Sequence, residues 1–280
     1  MCPNSKNILA EFDVKLRLQR YAPASRKTYK NALAKFLSHF IHQDLALLSV
    51  PKITSFLSSL QQKENISPSY QRQILAAITK FYKLHYNRPL DLSALYPKRK
   101  AKPLPKYLTT DEVKRLLEKC NNLKHLCILK ILYGCGLRVS EVVALKIEDI
   151  DSSAMRLLVR NAKGNKDRVV PLPKSLLGDL RSYYRAFRPK DHLFGGQNGG
   201  QYSIKSIQQL TKKYAREAQI IKEVTPHKLR HSYATHQLEN GINIRYLQEL
   251  MGHNSIKTTE VYTHISKIAK GRLANPLDQL

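Results

Sequence analysis

Acidic residues are scarce in this chain of 280 residues, which carries 21 of them against 48 lysines and arginines. The net charge of +27 indicates a polyanionic partner, most simply nucleic acid. A solvated basic surface without a ligand is the alternative interpretation. The positive charge is spread along the chain, since residues 1–95 carry a net +9 and residues 96–280 a net +18. Both segments are therefore predicted to contact the nucleic acid.

Cysteine pairs, zinc-like ligand spacings and long apolar runs are missing. The four cysteines (Cys2, Cys120, Cys127 and Cys135) form no C-x-x-C pair, and no histidine cluster has zinc spacing. The last three lie among apolar residues and are predicted to be core side chains in a reduced cytosol. The N-terminus lacks a signal-peptide h-region, and no apolar run approaches the length of a membrane span. We therefore expect a cytoplasmic protein with no cofactor and no metal.

The first domain is predicted over residues 1–95 and is all helical. Apolar residues recur at helical spacing over residues 8–20, and Ser25 is predicted to cap a second helix. A short third helix is expected over residues 51–60. The dipeptide Ser67-Pro68 predicts the start of a fourth, because proline suits the first turn of a helix.

A basic linker is predicted over residues 96–107, followed by a second domain over residues 108–280. Prolines keep such a linker extended, and its lysines and arginines favour phosphate contact, although a nuclear-localisation signal is the alternative. The second domain opens with a capping box at Thr109 and Glu112. Two β-rich runs joined by a basic tip at residues 161–167 predict a hairpin, and the rest is helical. The predicted fold is thus mainly α with a small β-sheet.

Side chains suited to phosphodiester chemistry follow one another along this second domain. They lie in five motifs: Gly134–Glu141, Lys163–Lys166, Thr225–Thr235, Leu250–His253 and Thr258–His264. A phenol such as Tyr262 is a weak nucleophile, because reaching the phenolate at pH 7 costs roughly 4 kcal/mol, so a base must take its proton. Guanidinium groups suit the negative charge of the transition state, and Lys or His can protonate the leaving oxygen.

In this order, the motifs resemble those of the tyrosine recombinases of the phage-integrase and Xer type. The resemblance covers most of residues 108–280 and, more weakly, the helical N-terminal part, which is similar to the family's core-binding domain. It implies a helical core-binding domain followed by an α+β catalytic domain. It also implies a site-specific recombinase that cuts and rejoins DNA without a metal or ATP, through a 3′-phosphotyrosine intermediate and a Holliday junction.

The resemblance assigns six residues to the catalytic site, namely Arg138, Lys163, His227, Arg230, His253 and Tyr262. Tyr262 is implied as the nucleophile, and Arg138 and Arg230 as the groups that neutralise the transition state. His227 is implied as the general base, which also contacts the phosphate, and Lys163 as the general acid.

Several of these assignments have alternatives. Lys166 is the rival to Lys163 on the hairpin tip. The implied role of His253 is to contact the phosphate and support the nucleophile, but a histidine after a glycine is more often only a polar cap. His231 and His236 are expected to be structural or supporting residues.

The implied partner is double-stranded DNA, bound by four protomers on two duplexes, with residues 265–280 docking on a neighbouring protomer. Integrase and Xer-type resolvase both remain open, as does relaxation of supercoils by the same chemistry. A different class, a DNA-binding regulator, would read residues 236–264 as a helix-turn-helix. A regulator has no need of the catalytic set. The target site and the biological event are not indicated by the sequence.

Overall fold

The computed structural model of the chain describes residues 3–98, 107–162, 166–196, 200–253 and 255–263. The chain divides into two compact units, Met1–Ala101 and Lys102–Leu280. The predicted linker lies largely outside the described residues, so the predicted domain boundaries stay a prediction.

The described part of the first unit is helical, as predicted. Its α-helices are α1 (Pro3–Leu18), α2 (Pro23–His39), α3 (Val50–Glu64) and α4 (Pro68–His85). Helix α2 packs against both α1 and α4. Their shared core is apolar, with Phe12, Phe36, Ile74 and Phe81 fully buried. Burial of this hydrocarbon surface is what holds the first unit together.

Two helix starts in the first unit test the sequence predictions. Ser67 caps α4 as predicted, because its hydroxyl accepts a hydrogen bond from the Tyr70 backbone N–H. The predicted cap at Ser25 is wrong, since α2 begins at Pro23 with Ala22 at the capping position. Proline at the first helical position already has the required φ, so the helix starts there without a side-chain cap.

The second unit combines helices with a small sheet. Its described helices are α5 (Thr110–Glu118), α6 (Leu123–Gly134), α7 (Val139–Ala144), α8 (Lys174–Phe187), α9 (Ile204–Glu217), α10 (Pro226–Glu239), α11 (Ile244–Met251) and α12 (Lys257–Thr263). The capping box at Thr109 and Glu112 is confirmed. The strands are β1 (Ile150–Asp151), β2 (Arg156–Ala162) and β3 (Lys166–Pro171).

The sheet is antiparallel in the order β1-β2-β3, with Leu157 paired to Val170 and Val159 to Arg168. The predicted hairpin is therefore confirmed, while β1 had no counterpart in the prediction. Residues 163–165, in the tip of the hairpin, lie outside the described residues. Side chains alternate across β3, so Val169 is exposed whereas Val170 is buried. Arg168 shares the inward face with Val170.

The main core of the second unit lies between α6, α8, α9 and the sheet. Cys120, Cys127 and Cys135 are buried free thiols in this core, as predicted. The predicted fold class, mainly α with a small sheet, is confirmed. None of the described helices combines the length and the apolar character needed to cross a bilayer.

Candidate active site

Helix α10 carries two predicted site residues, one of them buried and the other at the surface. Thr225 accepts a hydrogen bond from the Lys228 backbone N–H and Pro226 takes the first helical position, which confirms the predicted helix start. Arg230 then lies inside the unit, with 2% of its surface exposed, while His227 lies at the surface.

The Arg230 guanidinium is held by backbone carbonyls. It donates to the carbonyl oxygens of Gly136 and Met251 and lies 3.2 Å from Nε2 of His253. Burial, together with the charge of Arg138, lowers the pKa of Arg230 to about 9. The group therefore stays protonated at neutral pH, and it is fixed in place before any ligand arrives.

Gly136 makes this arrangement possible. Its φ of +62° belongs to the left-handed region, and a Cβ there would come within 2.4 Å of the Tyr233 ring. A side chain at position 136 would therefore displace the turn whose carbonyl holds Arg230.

Arg138 emerges from the same turn at the start of α7. Its guanidinium donates to Oε1 of Glu141 at 2.7 Å and to the carbonyl oxygen of Gly252 at 2.8 Å. Its backbone N–H donates to Oε2 of Glu141 at 2.8 Å. With 24% of its side chain exposed, Arg138 remains open to a ligand from solvent.

Three arginines surround Glu141, and one of them, Arg168, was not predicted from the sequence. Arg168 donates to both carboxylate oxygens of Glu141, at 2.9 and 2.7 Å, and Arg230 lies 3.7 Å away. Burial alone would raise the pKa of Glu141, but the hydrogen bonds and charge of Arg168, together with the hydrogen bonds of Arg138, lower it to about 2. Three guanidinium groups around one carboxylate leave a local charge of about +2, which suits an anion.

The turn after α11 places the next predicted residue. Gly252 has a φ of +59°, and a Cβ there would meet Nη1 of Arg168 at 3.0 Å. His253 follows, with Nε2 facing Arg230 and Nδ1 at 2.9 Å from Oγ1 of Thr259. Burial and the charge of Arg230 lower the pKa of His253 to about 3. The ring is therefore neutral, and we assign its proton to Nδ1, because Arg230 can only donate.

Tyr262 lies on α12 within the same chain, with 2% of its surface exposed. Its hydroxyl is 2.6 Å from Nδ1 of His231, and its ring stacks on that of His253 at 6.4 Å between centroids. Burial raises the pKa of Tyr262 to about 12, although Arg230 and Arg138 oppose the rise. The phenol is therefore protonated at neutral pH.

His231 was expected to be a structural residue, yet it is the histidine that contacts the phenol. Its ring also meets that of His227 at 4.0 Å between centroids, in a T-shaped arrangement. Burial, His227 and Arg230 lower the pKa of His231 to about 4, so the ring is neutral at pH 7. The Tyr262 hydroxyl accordingly donates to Nδ1. The Nδ1 atom of His236 lies 2.9 Å from the Tyr133 hydroxyl.

Five of the six predicted site residues come together in the second unit: Arg138, His227, Arg230, His253 and Tyr262. Lys163, the sixth, lies outside the described residues, and so does the side chain of its rival Lys166. Among the residues that the structure describes, no group of three or more His, Cys, Asp or Glu side chains is placed to hold a metal ion. Helices α10, α11 and α12 pack around Tyr262.

The second unit carries the features of a tyrosine recombinase catalytic domain, with guanidinium groups, imidazoles and a phenol in contact with one another. Residues 106–268 match the phage integrase family, and residues 8–92 match the N-terminal SAM-like domain of phage integrases. The chain belongs to the phage integrase family of tyrosine recombinases, which confirms the predicted family.

Relatives of known class agree with this membership. The chain is 36% identical over 268 residues to tyrosine recombinase XerA of Pyrococcus horikoshii, covering 94% of this chain and 90% of that protein. It resembles a crystal structure of XerA recombinase with a TM-score of 0.57 at 29% identity, covering 96% of this chain and 99% of that one. The XerH recombinase bound to its difH substrate shares the fold, with a TM-score of 0.74 at 21% identity over 95% of this chain and 83% of that one.

Proposed function

We propose that the chain is a site-specific DNA recombinase in which Tyr262 attacks a phosphodiester bound by Arg138 and Arg230. The observation that carries the proposal is the group of arginines around Glu141. Arg138 donates to the carbonyl oxygen of Gly252, and Arg230 contacts His253, whose ring stacks on that of Tyr262. The guanidinium groups are oriented by carbonyl oxygens and Glu141 rather than by a ligand. Groups fixed in this way stabilise developing charge without reorganising.

The proposed reaction exchanges one oxygen on phosphorus for another. The phenolic oxygen of Tyr262 forms a bond to phosphorus while the bond from phosphorus to the 5′-oxygen breaks. The phenol gives up its proton to a base, and Lys163 supplies a proton to the departing 5′-oxygen. The 3′-phosphotyrosine bond keeps the energy of the phosphodiester, so a 5′-hydroxyl of another strand reverses the attack without ATP.

The remaining site residues have supporting parts in the proposal. His227 lies at the surface one turn before Arg230, where it would contact the bound phosphate. His253 donates from Nδ1 to Thr259 and accepts from Arg230, which holds that arginine in place. The family resemblance implies His227 as the base, whereas the histidine at hydrogen-bonding distance of the phenol is His231.

The proposed partner is double-stranded DNA, because both halves of the chain are strongly basic. We further propose that residues 1–95 and 108–280 grip the duplex as two domains joined by the linker. Four protomers would act on two duplexes through a Holliday junction, with residues 265–280 docking on a neighbour. Residues 265–280 lie outside the described part of the chain. The proposed location of the reaction is the cytoplasm.

The test is covalent capture on nicked suicide DNA substrates. Tyr262→Phe should bind DNA as the unaltered chain does but form no covalent adduct, because it lacks the nucleophilic oxygen. Tyr246→Phe, which changes an exposed tyrosine on α11, is the matched control and should retain full adduct yield. A normal yield of adduct from Tyr262→Phe would refute the assignment.

DNA binding itself is tested by its salt dependence. Each phosphate contact contributes about −0.9 to the slope of log affinity against log salt. We expect a steep slope for the whole chain, measured by fluorescence anisotropy on a labelled duplex. A flat response would contradict a clamp that surrounds the duplex.

A further inference from the structure

We propose that His231, rather than His227, is the catalytic base that takes the proton from Tyr262. The inference rests on the proposed function, since it concerns the step in which Tyr262 becomes a nucleophile. It gives a chemical role to a residue for which the sequence predicts only support.

The contact geometry favours His231. Its Nδ1 lies 2.6 Å from the Tyr262 hydroxyl, within the range over which a general base acts directly. His227 lies one helical turn earlier and at the surface, where its ring contact is with His231. Proton transfer to His231 therefore needs no movement of the phenol.

The protonation state of His231 fits the same role. The phenol has one proton and donates it, so Nδ1 must carry a lone pair, and we assign the ring proton to Nε2. The low pKa of His231, about 4, keeps this acceptor form populated at neutral pH. In the free protein the ring is thus a weak base that is always available.

A bound phosphate would make the ring a stronger base. Arg230 contributes to the low pKa of His231 through its positive charge. A phosphodiester on Arg138 and Arg230 adds a negative charge there, which raises the pKa of His231 toward its usual value of about 6.5. The proton would then move as the new bond to phosphorus forms, and it would rest on the His231 imidazolium.

Helix position explains why His231 can reach the phenol. His231 directly follows Arg230 on α10, and α12 packs against α10. Tyr262 on α12 is buried against Tyr233, Ala234 and the α11 residues Leu247 and Met251. This packing holds the phenol over the His231 side of α10.

The experiment measures single-turnover cleavage of nicked DNA with two leaving groups. One substrate has the natural 5′-oxygen, and the other has a bridging 5′-sulfur, which leaves without a proton donor. His231→Asn keeps an acceptor oxygen near the position of Nδ1 but cannot take a proton. It should cleave about 10²- to 10⁴-fold more slowly on both substrates, as expected for loss of a general base.

The pH profile separates a base from a mere support. With the sulfur substrate, the cleavage rate of the unaltered chain should fall at acid pH as His231 becomes protonated. In His231→Asn this acid limb should disappear. Lys163→Ala provides the contrast, because its slow cleavage should recover on the sulfur substrate if Lys163 is the acid.

Matched variants on the same helix complete the design. His236→Asn changes a histidine on the same helix whose Nδ1 bonds the Tyr133 hydroxyl, and it should cleave within about threefold of the unaltered chain. If His231→Asn is poorly folded by circular dichroism, His231→Gln is measured in its place.

The inference is overturned if folded His231→Asn or His231→Gln cleaves at a near-normal rate with an unchanged acid limb. Loss of the acid limb in His227→Asn alone would return the role to His227. Either result leaves the proposed function intact, because Tyr262→Phe still defines the nucleophile. Adduct formation by Tyr262→Phe would instead remove the proposed function itself.

Discussion

The two units of the chain bury different kinds of side chain. Among the described residues of the first unit, Ser5 is the buried polar side chain, and the core is otherwise aliphatic and aromatic. The second unit buries Glu141 and Arg230 and nearly buries Arg168. Burying charge is unfavourable unless each group is paired and hydrogen-bonded. Holding cations at the site therefore lowers the stability of the second unit, whereas the described residues of the first unit bury no charged side chain.

Removal of the central carboxylate should have the largest effect. Glu141→Gln leaves Arg138, Arg168 and Arg230 close together without a counter-charge, so we expect the free energy of unfolding to fall by about 4 kcal/mol. Urea denaturation followed by circular dichroism measures this loss. Glu148→Gln is the control, because 59% of the Glu148 side chain is exposed, and it should change stability by less than about 1 kcal/mol. Equal losses in the two variants would show that burial of the network is unimportant.

Truncation of a core ring should destabilise the first unit and leave the cleavage rate unchanged. Phe36→Ala removes a fully buried ring at the centre of the helices and should destabilise the unit by about 3 kcal/mol. Amide hydrogen exchange in α2 and α4 reports this change locally. Single-turnover cleavage at saturating DNA should stay close to normal. Leu47→Ala, at a side chain that is 79% exposed, is the control. A large drop in the cleavage rate of Phe36→Ala at saturating DNA would contradict the expectation that the core of the first unit does not affect the chemistry.

Glycine substitutions sharpen the comparison within the second unit. Gly252→Ala forces a Cβ into a left-handed backbone and against Arg168, so we expect a loss of about 2 kcal/mol and slow cleavage. Gly178→Ala on α8 has open space around it and should gain about 0.5–1 kcal/mol. Thermal melts and adduct yields of both variants give the test. A stable, active Gly252→Ala variant would mean that the position of Arg168 is not critical.

Acidification should weaken the second unit gradually. The pKa values of His231 and His253 are lowered by folding to about 4 and about 3, so the unfolded chain binds protons first as the pH falls below about 6.5. Their contribution to stability is complete above that pH and declines on the way to pH 4. Two imidazoles shifted in full would give at most about 2.7 kcal/mol per pH unit. Because both rings are partly exposed, we expect a slope of about 1–2 kcal/mol per pH unit, measured by urea denaturation between pH 7 and 4.5. The double variant His231→Gln/His253→Gln should show a clearly shallower slope, and an unchanged slope would assign the effect to other groups.

Helix starts were predictable where a local hydrogen bond defines them. Ser67, Thr109 and Thr225 each accept a backbone hydrogen bond within their own first turn, which three or four residues of sequence reveal. Ser25 was misassigned because the proline two residues earlier already starts the helix. Such local rules define where these three helices begin.

The missed site residues depend on contacts between distant segments. Arg168 meets Glu141 from 27 positions away, and His231 meets Tyr262 from 31. The alternation of β3 did contain a clue, since Arg168 shares a strand face with the apolar Val170. Nothing local marked His231, because its role depends on how α12 packs against α10.

Main-chain acceptors around the arginines make the site tolerant of sequence drift. Arg138, Arg168 and Arg230 donate to the carbonyl oxygens of Gly252, Leu250, Gly136 and Met251. A carbonyl oxygen is present whichever amino acid occupies the position, so point mutation cannot delete these partners. Diverging descendants could exchange Leu250 or Met251 for other apolar residues and keep the same anion receptor. Among these four acceptor positions, natural selection would then act mainly on Gly136 and Gly252, whose backbone conformation other residues adopt only with strain.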